Sequence, residues 1–321
     1  MSAQKPVVVV GSINTDLVAV ARKIPAVGET VIGTDFQIHP GGKGANQAVA
    51  VARLGYPVRL IGRLGSDAFG TQLRAHLSSA GVDIASVATS EGTSGVAVIV
   101  ISSTGENSIV VTPGANAKVT PEDIASNAEM IRTAGAVLAQ LETPLDTIEY
   151  LAKFCAREGV PLILDPAPAQ ELPESVFKHV AWFTPNQTEA AFYTGIDAEA
   201  DDDRAHAKMV DAIRARGCEG VVLKLGAGGA FLASRTVKGT HVPAFAVQAV
   251  DTTAAGDAFN GGFATGLLLG KSPEESAAFA AAVAAVSVTR PGAQPSMPTM
   301  QEALEMFERG MASMRSQTLA S

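Results

Sequence analysis

The stretch Asp251–Gly262 reads Asp-Thr-Thr-Ala-Ala-Gly-Asp-Ala-Phe-Asn-Gly-Gly, so that three small residues stand directly before an acid, Asp257. An Ala-rich apolar segment follows, without proline until Pro273, and this pattern predicts a helix that begins at a tight turn with an accessible backbone. The first N–H groups of a helix lack an internal acceptor and carry the positive end of its dipole, so a phosphate can bind to them. Asp257 would then stand beside the phosphate as a proton acceptor. It could also be an ordinary acid in a first helical turn, which stabilises by about 0.3–1 kcal/mol, so these residues alone leave both interpretations open.

The composition is that of a globular protein with an acidic balance. The 321 residues leave room for one large α/β domain or two ordinary ones. Hydrophobic residues make up 47% of the chain and charged residues 17%, which is enough apolar material for a sizeable core. The net charge is −8 and no Lys/Arg cluster stands out, so neither a nucleic acid nor an anionic membrane is expected as a partner.

The cysteines and the termini predict the compartment. Cys155 and Cys218 are the only cysteines, and we expect both to be free thiols in a reducing environment. Residues 5–11 form a short strand pattern and not a signal peptide. The longest mostly apolar run, Ala277–Val288, is too short to span a bilayer. The sequence therefore predicts a soluble, cytoplasmic protein.

Short apolar strands alternate with helical segments along most of the chain. Val7–Val10 is a β-branched run that ends in Gly11, which is typical of a central parallel strand. Further strands of this kind are predicted at Val58–Leu64, Ala136–Gln140, Pro161–Leu164, Ala181–Thr184 and Val221–Leu225. The predicted fold class is α/β, with a doubly wound, mostly parallel central sheet flanked by helices.

Four other strands interrupt this alternation, and they predict a separate small sheet. They are Leu17–Ala21, Thr30–Ile38, Gly95–Ser102 and Ser108–Thr112. We predict a β-sheet lid formed by about 15–40 and 94–113, inserted in a single domain of residues 1–314 that is followed by a tail at 315–321. Because Gly95–Ile101 is apolar at nearly every position, one face of the lid could cover a substrate and the other a second subunit, which predicts a homodimer.

Polar residues recur just after the predicted strands. Parallel strands place their carboxyl ends at one edge of a sheet, so these groups can converge on one cleft. They are Asn14 and Asp16, Glu142, Asn186 and Glu189, Lys224 with Gly226–Gly229, and Asp251–Asp257 after a β-like segment at Phe245–Val250. A Gly-rich helix start, Pro40–Ala48, adds Lys43 and Asn46, which lie three residues apart and so share the first helical turn.

Other familiar motifs do not fit. Gly266–Ser272 resembles a P-loop, but it has three residues between the glycines and lies at the end of a predicted helix. Gly226–Phe231 lacks the last glycine of a dinucleotide fingerprint and leads into a strand. No G-x-S-x-G sequence and no close pair of histidines is present, which disfavours serine hydrolase and zinc chemistry.

The chain resembles the ribokinase-like (phosphofructokinase-B) sugar kinases over essentially its whole length. Asn14–Asp16, Pro40–Gln47 and Asp251–Asp257 resemble the two signatures of that family, which lie about 200 residues apart in the expected order. Gln140–Glu142, Asn186 with Glu189, and Thr289–Ser296 fit the family too. The resemblance implies ATP-dependent phosphorylation of a pentose, D-ribose at its 5-hydroxyl.

The resemblance also implies roles for individual residues. Asp257 would be the base, and Ala254, Ala255 and Gly256 would form the anion hole. The residues implied to bind the sugar are Asn14, Asp16, Gly42, Lys43, Asn46, Glu142 and Asp257. Those implied to bind ATP are Asn186, Lys224, Gly226, Gly228, Gly229 and Gly256.

Two metal ions are implied in the same way. Asn186 and Glu189 would place Mg²⁺ near the phosphates through water. A monovalent cation, K⁺, would be held by Asp251, Thr253, Ser287, Gly292 and Ser296. Where relatives often carry a polar side chain near the adenine, this chain reads Phe279–Ala282, so adenine is expected to be held by apolar contact.

Alternative functions remain open at this point. A kinase of the same fold could act on 2-deoxyribose, another sugar or a nucleoside. The pairs Asn14/Asp16 and Lys43/Asn46 offer many polar contacts and no aromatic platform, which suits a small polyol better than a base. A non-catalytic sugar or nucleotide sensor is a further alternative, which the intact Gly256-Asp257 pair disfavours.

Overall fold

A computed structural model describes residues 4–198 and 202–320 of the chain, with side chains described up to residue 310. Its central sheet has nine strands in the order β13-β12-β11-β10-β9-β8-β1-β4-β5. Neighbours from β11 to β5 are parallel, whereas β12 pairs antiparallel with both β11 and β13. The strands of this sheet are β1 Val7–Val10, β4 Val58–Gly65, β5 Val87–Ser90, β8 Ala136–Ala139, β9 Leu162–Leu164, β10 Trp182–Phe183, β11 Gly220–Lys224, β12 Ala230–Ser234 and β13 Thr240–Val242.

Helices cover both faces of this sheet, as the alternation of strands and helices predicted. Those that shape the site are α1 Lys43–Arg53, α2 Ala68–Ser79, α7 Gln187–Thr194, α9 Ala255–Leu268 and α10 Pro273–Ser287. The others are α3 Pro121–Ser126, α4 Ala128–Arg132, α5 Leu145–Glu158, α6 Glu174–Phe177, α8 Asp203–Ala215 and α11 Met300–Ala320. None of the helices in the described part of the chain combines the length and the apolar character that a bilayer crossing requires.

The first strand illustrates why the sheet is doubly wound. Val7 and Val9 belong to the hydrophobic core on one face, whereas Val8 and Val10 belong to the core on the other face. All four side chains are fully buried, since strand side chains alternate between faces and both faces are covered. The prediction of a central parallel strand at Val7–Val10 is confirmed by its parallel pairing with β4 and β8.

A second sheet, which we call the lid sheet, contains four strands in the order β3-β2-β6-β7. They are β2 Asn14–Ala21, β3 Gly33–Gly41, β6 Gly95–Ser102 and β7 Asn107–Thr112. The central pair β2–β6 is parallel and the two outer pairs are antiparallel. The four predicted strands of the small sheet are thus present, and β3 leads directly into α1.

One predicted strand is wrong. Phe245–Val250 forms no strand, because β13 ends at Val242 and the next residue, Pro243, has no N–H to continue the ladder. The Val250 N–H donates instead to the carbonyl of Val288 beyond the end of α10 (2.7 Å).

The helical segments at the carboxyl end differ in detail from the sequence pattern. The Ala-rich region is two helices, because α9 ends at Leu268 and Ser272 caps α10 by exchanging hydrogen bonds with Glu275. The rejected P-loop candidate therefore does lie at the end of a helix. The last helix continues to Ala320, so the backbone of residues 315–320, predicted as a tail, is helical, while Ser321 lies outside the described residues.

Candidate active site

The turn that precedes α9 has the backbone geometry that its small residues predict. Ala254 occupies the left-handed region with φ 58°, and among the described residues it is the only one other than glycine with a positive φ. The Ala255 N–H donates to Thr252 O at 3.2 Å, which closes the turn. Gly256 and Asp257 lie in the first turn of α9, where N–H groups have no intrahelical acceptor. The helix entrance therefore presents free backbone donors beside an acid.

Asp257 lies beneath this turn, and its side chain is only 6% exposed. Its two carboxylate oxygens accept hydrogen bonds from neighbouring residues of α1, Asn46 Nδ2 at 2.9 Å and Gln47 Nε2 at 3.1 Å. Burial raises the pKa of Asp257 to about 6, although Lys43 opposes the shift. An acid that titrates near neutrality suits a general base, since it can both accept and release a proton.

Lys43 starts α1 because of the glycine before it. Gly42 has φ 89°, and a Cβ there would lie 2.6 Å from the backbone nitrogen of Asn14. The Lys43 N–H donates to Glu142 at 3.3 Å. Burial by itself would lower the pKa of Lys43, but Asp257, Asp165 and other carboxylates around it outweigh burial and raise that pKa. The lysine therefore stays charged.

Asp16 and Asn14 project from the first residues of β2 into the same region. Burial, followed by repulsion from Glu142 and Asp257, raises the pKa of Asp16 to about 6. Asn14 is held by Asn116, whose Nδ2 donates to Asn14 Oδ1 at 2.7 Å. Asn116 was not predicted, because it lies in a short 3₁₀ segment that carries no signature of its own.

A second buried acid, Asp165, follows β9 and was not among the predicted site residues. It accepts a hydrogen bond from Gln47 Nε2 at 3.0 Å and pairs with Lys224 Nζ at 2.8 Å. Gln140 Nε2 in turn donates to Gln47 Oε1 at 2.7 Å. Asp165 and Gln140 each follow a strand of the central sheet. Gln140 was named only within the family match Gln140–Glu142, and strand-end position was the signal that could have found Asp165.

A cavity of about 400 Å³ opens on the other side of the α9 turn. The predicted residues that line it are Lys224, Gly226, Gly229, Ala255 and Gly256, whereas Gly228 and Asn186 are not among its lining residues. Lining residues that were not predicted are Ala227, Ala244, Phe245, Ala246, Val247, Ala249, Thr252, Phe259, Ala284, Ala285 and Val288. Of Phe279–Ala282, only Ala281 reaches the cavity, since Phe279 is fully buried in the core. The walls are mainly apolar, as the sequence predicted.

Asn186 and Glu189 form the N-terminal cap of α7. The Asn186 side chain accepts from the Glu189 N–H and the Glu189 carboxylate accepts from the Asn186 N–H, both at 2.8 Å. Asn186 also forms a β-bridge with Lys224, so this cap adjoins the cavity. Burial raises the pKa of Glu189, with Lys224 opposing it. Asn186 is therefore the N-cap residue of α7.

Asp251 joins two loops around the α9 turn. Its carboxylate accepts from the Thr253 N–H at 2.9 Å and from the Gly292 N–H at 2.8 Å. Burial would raise the pKa of Asp251, but these hydrogen bonds outweigh burial and lower it. The Ser287 hydroxyl donates to the Ala284 carbonyl and the Ser296 hydroxyl to the Ala293 carbonyl, both at 2.8 Å. Three of the residues proposed for a cation, Asp251, Thr253 and Gly292, are thus in contact.

A cavity that ends at a helix N-terminus beside a buried acid defines a site for phosphoryl transfer to a polar substrate. The model of the pfkB family of carbohydrate kinases matches residues 4–300. The chain therefore belongs to the pfkB family of carbohydrate kinases.

Individual relatives agree with this assignment. The chain is 42% identical over 306 residues to the ribokinase of Haemophilus influenzae, an alignment that covers 95% of this chain and 99% of the relative. It is 37% identical over 300 residues to the deoxyribokinase of Salmonella typhi, covering 92% of this chain and 96% of the relative. The structure of Arabidopsis thaliana ribokinase complexed with ribose and ATP matches with a TM-score of 0.88 at 37% identity, covering 94% of this chain and 98% of that one. The predicted ribokinase-like α/β fold is confirmed.

Proposed function

We propose that this chain is an ATP-dependent ribokinase that phosphorylates D-ribose at its 5-hydroxyl. The observation that carries the proposal is the position of Asp257, which lies between the cavity at the α9 turn and a cluster of buried polar side chains on the lid side. The polar cluster suits a small polyol and the apolar cavity suits a nucleotide base. The ribokinases among the relatives support this choice of substrate.

In the proposed reaction, Asp257 accepts the proton of the sugar hydroxyl. The hydroxyl oxygen forms a bond to the γ-phosphorus as the bond between that phosphorus and ADP breaks, so ADP leaves with the electron pair. Charge on the transferred group lies over its three outer oxygens, and the backbone at Ala254, Ala255 and Gly256 together with Lys224 would neutralise it. Asn14, Asp16, Lys43 and Glu142 would hold the other hydroxyls, with Gly42 and Asn46 beside them.

ATP would occupy the cavity of about 400 Å³. Gly226 and Gly229 leave the backbone accessible to the nucleotide, and Ala281 with Ala285 offers an apolar surface for the adenine. Gly228 and Asn186 would contribute from beside the cavity.

Two metal ions belong to the proposal. Glu189 is a buried carboxylate next to Lys224, and oxygen donors of this kind suit Mg²⁺, which would neutralise phosphate charge through bound water. The loops that hold Asp251, Thr253 and Gly292 offer a carboxylate and backbone oxygens, a donor set that suits K⁺. Ser287 and Ser296 would complete it. A bound cation there would fix the turn that precedes α9.

The lid sheet is proposed to close over the sugar and to form a homodimer. The strand register places Phe36, Ile38, Val98 and Val110 on one face, opposite to the face of Asp16. All four side chains are between 44% and 63% exposed. A contiguous exposed apolar face of this kind fits a protein partner, and a second copy would bury it symmetrically.

We also place the enzyme in the cytoplasm, the compartment that suits its free thiols Cys155 and Cys218.

The test is a screen for ADP release with pentoses, hexoses and nucleosides, with and without K⁺. We expect D-ribose to give the highest kcat/KM. A preference for 2-deoxyribose, which the deoxyribokinase relative makes the second candidate, would change the substrate but keep the reaction. Sugar binding without any ADP release would contradict the kinase proposal and favour a sensor.

A further inference from the structure

Gln47 connects two buried acids through a single amide group. Its Nε2 donates to Asp257 Oδ1 at 3.1 Å and to Asp165 Oδ2 at 3.0 Å. The side chain is fully buried on α1, next to Asn46, which holds the other oxygen of Asp257. Both hydrogens of one amide are therefore committed to carboxylates.

The orientation of this amide is forced by its surroundings. Ionised carboxylates only accept hydrogen bonds, so the NH₂ end of Gln47 must face them. Its carbonyl end then accepts from Gln140 Nε2 at 2.7 Å. Gln140 fits because Gly11 has no side chain, since a Cβ there would lie 2.0 Å from Gln140 Oε1. The result is an ordered chain from Gln140 through Gln47 to Asp257.

The same amide separates like charges. Asp165 raises the pKa of Asp257, while Lys43 and the hydrogen bonds from Asn46 and Gln47 lower it. Asp16 also faces Asp257 and repels it, and Lys224 balances Asp165 on its far side. Donors aimed at a carboxylate favour its charged form, and this effect is larger where water is excluded.

We propose that Gln47 is a positioning residue, whose amide holds Asp257 in the orientation and the ionised state that proton acceptance requires, with Gln140 fixing the amide. This inference rests on the proposed function of Asp257 as the base. It also connects Asp257 through Asp165 to Lys224, a residue that lines the nucleotide cavity.

The test replaces Gln47 by an apolar side chain of similar length, Gln47→Met. At a pH below the midpoint of the wild-type profile, we expect kcat for ribose to fall about tenfold while KM for ribose stays within about twofold. The acid limb of the kcat–pH profile should move up by about one pH unit, since a tenfold change in ionisation equals one pKa unit. Gln140→Met should shift both quantities in the same direction by less, because it disorders the amide without removing it.

A second measurement does not depend on turnover. In protein labelled with ¹³C at the aspartate carboxyl groups, the resonance of Asp257 is the one missing from Asp257→Asn. Its titration midpoint should rise in Gln47→Met. The control is Thr265→Val, which removes a buried hydrogen bond to Gly261 O (2.8 Å) on the same helix without touching Asp257. We expect it to lower the melting temperature and to leave the titration unchanged.

The inference would be overturned if Gln47→Met left the titration midpoint of Asp257 unchanged. It would also be overturned if Gln47→Met shifted that midpoint but kept a normal kcat. These outcomes differ from failure of the proposed function, in which the wild type releases no ADP with sugars or Asp257→Asn keeps its turnover. Even then, the titration decides whether Gln47 controls the ionisation of Asp257.

Discussion

Asp257 is subject to two opposed influences at the residue scale. Burial favours its protonated form, whereas Lys43 and two amide donors favour the carboxylate. The balance leaves a pKa of about 6, which keeps the group ionised at neutral pH and still able to accept a proton.

Asp257→Asn should lower kcat by at least about 10²-fold, the scale of general-base catalysis, because an amide cannot accept the hydroxyl proton. Ribose binding should persist, since the asparagine keeps the shape of the side chain. Steady-state kinetics and calorimetric titration with ribose measure the two quantities. Asp211→Asn, at an exposed position on α8, serves as the control. Near-normal turnover in Asp257→Asn would remove that residue from the base role.

Ala254 bears a backbone conformation that L-residues disfavour by about 1–2 kcal/mol, and glycine relieves this strain at an entropic cost of about 0.5–1 kcal/mol. Ala254→Gly should therefore raise the free energy of unfolding by up to about 1 kcal/mol, as measured by urea denaturation. Ala212→Gly, at an exposed position inside α8, should lower it by about 0.5–1 kcal/mol. Destabilisation of both variants to the same extent would argue against strain at Ala254.

Contacts between residues close in sequence could be predicted, whereas contacts between distant residues could not. The helix cap formed by Asn186 and Glu189 is predictable from the sequence, because the two residues are only three positions apart. Gln47 and Asp165 lie 118 residues apart, and their contact follows from the order of the strands. Nothing in the immediate neighbourhood of either residue signals the other.

At the scale of elements, the loops that flank α9 are tied together by one carboxylate. Asp251 binds the backbone of Thr253 on one side and of Gly292 on the other. The geometry of the α9 turn therefore depends on a loop that follows α10. A cation held there would stabilise the anion hole without touching the substrate.

Activity should depend on K⁺, and Asp251→Asn should raise the K⁺ concentration needed for half-maximal rate by about tenfold, the effect of losing roughly 1.4 kcal/mol of binding. Initial rates across a K⁺ series, with Na⁺ and Tris as the comparison ions, provide the measurement. Equal rates of the wild-type protein in all three buffers would count against the cation loop.

The lid sheet exposes apolar side chains where an isolated sheet would be expected to be polar. Val110→Asp on β7 places a charge at a position that is 63% exposed, so the fold should tolerate it while a dimer should not. We expect light scattering to show a dimer for the wild type and a monomer for the variant. Phe192→Asp, which changes an exposed apolar residue of α7 outside the lid sheet, should remain dimeric. A monomeric wild type would contradict the proposed interface.

At the scale of the whole molecule, buried acids make the free energy of unfolding depend on pH. Asp16 and Asp257 have pKa values of about 6 in the folded protein against 3.8 as the reference. Between about pH 4 and pH 6 the folded state keeps protons that the unfolded state has released, so these two groups make stability fall as pH rises. Glu302 has the opposite effect on the free energy of unfolding, because its hydrogen bond with Arg290 lowers its pKa to about 2. Its contribution to stability is lost only as pH falls below about 4.

The double variant Asp16→Asn/Asp257→Asn should therefore gain stability relative to the wild type as pH rises through this window. Urea denaturation at a pH below 4.5 and again above 6.5 gives the two differences in free energy of unfolding. Asp35→Asn/Asp211→Asn, at exposed sites, is the matched control. A difference that stays constant across the window would show that the two carboxylates titrate normally in the folded protein.

Local secondary structure could be predicted from the residues themselves. Periodicity, steric limits and hydrogen bonding between near neighbours predict the strand of four valines at β1, the alternation of strands and helices, and the turn before α9. The two family signatures were identified by resemblance. The same rules failed at Phe245–Val250, because an apolar extended segment becomes a strand only if a neighbouring strand can pair with it. Pairing depends on distant parts of the chain. The hydrogen bond from Asn116 to Asn14 and the amide of Gln47 between two acids arise only when the fold brings segments more than 100 residues apart into contact. The cavity walls likewise form only when separate loops and helices pack together. The physical reason is that burial and charge act through space and not along the sequence.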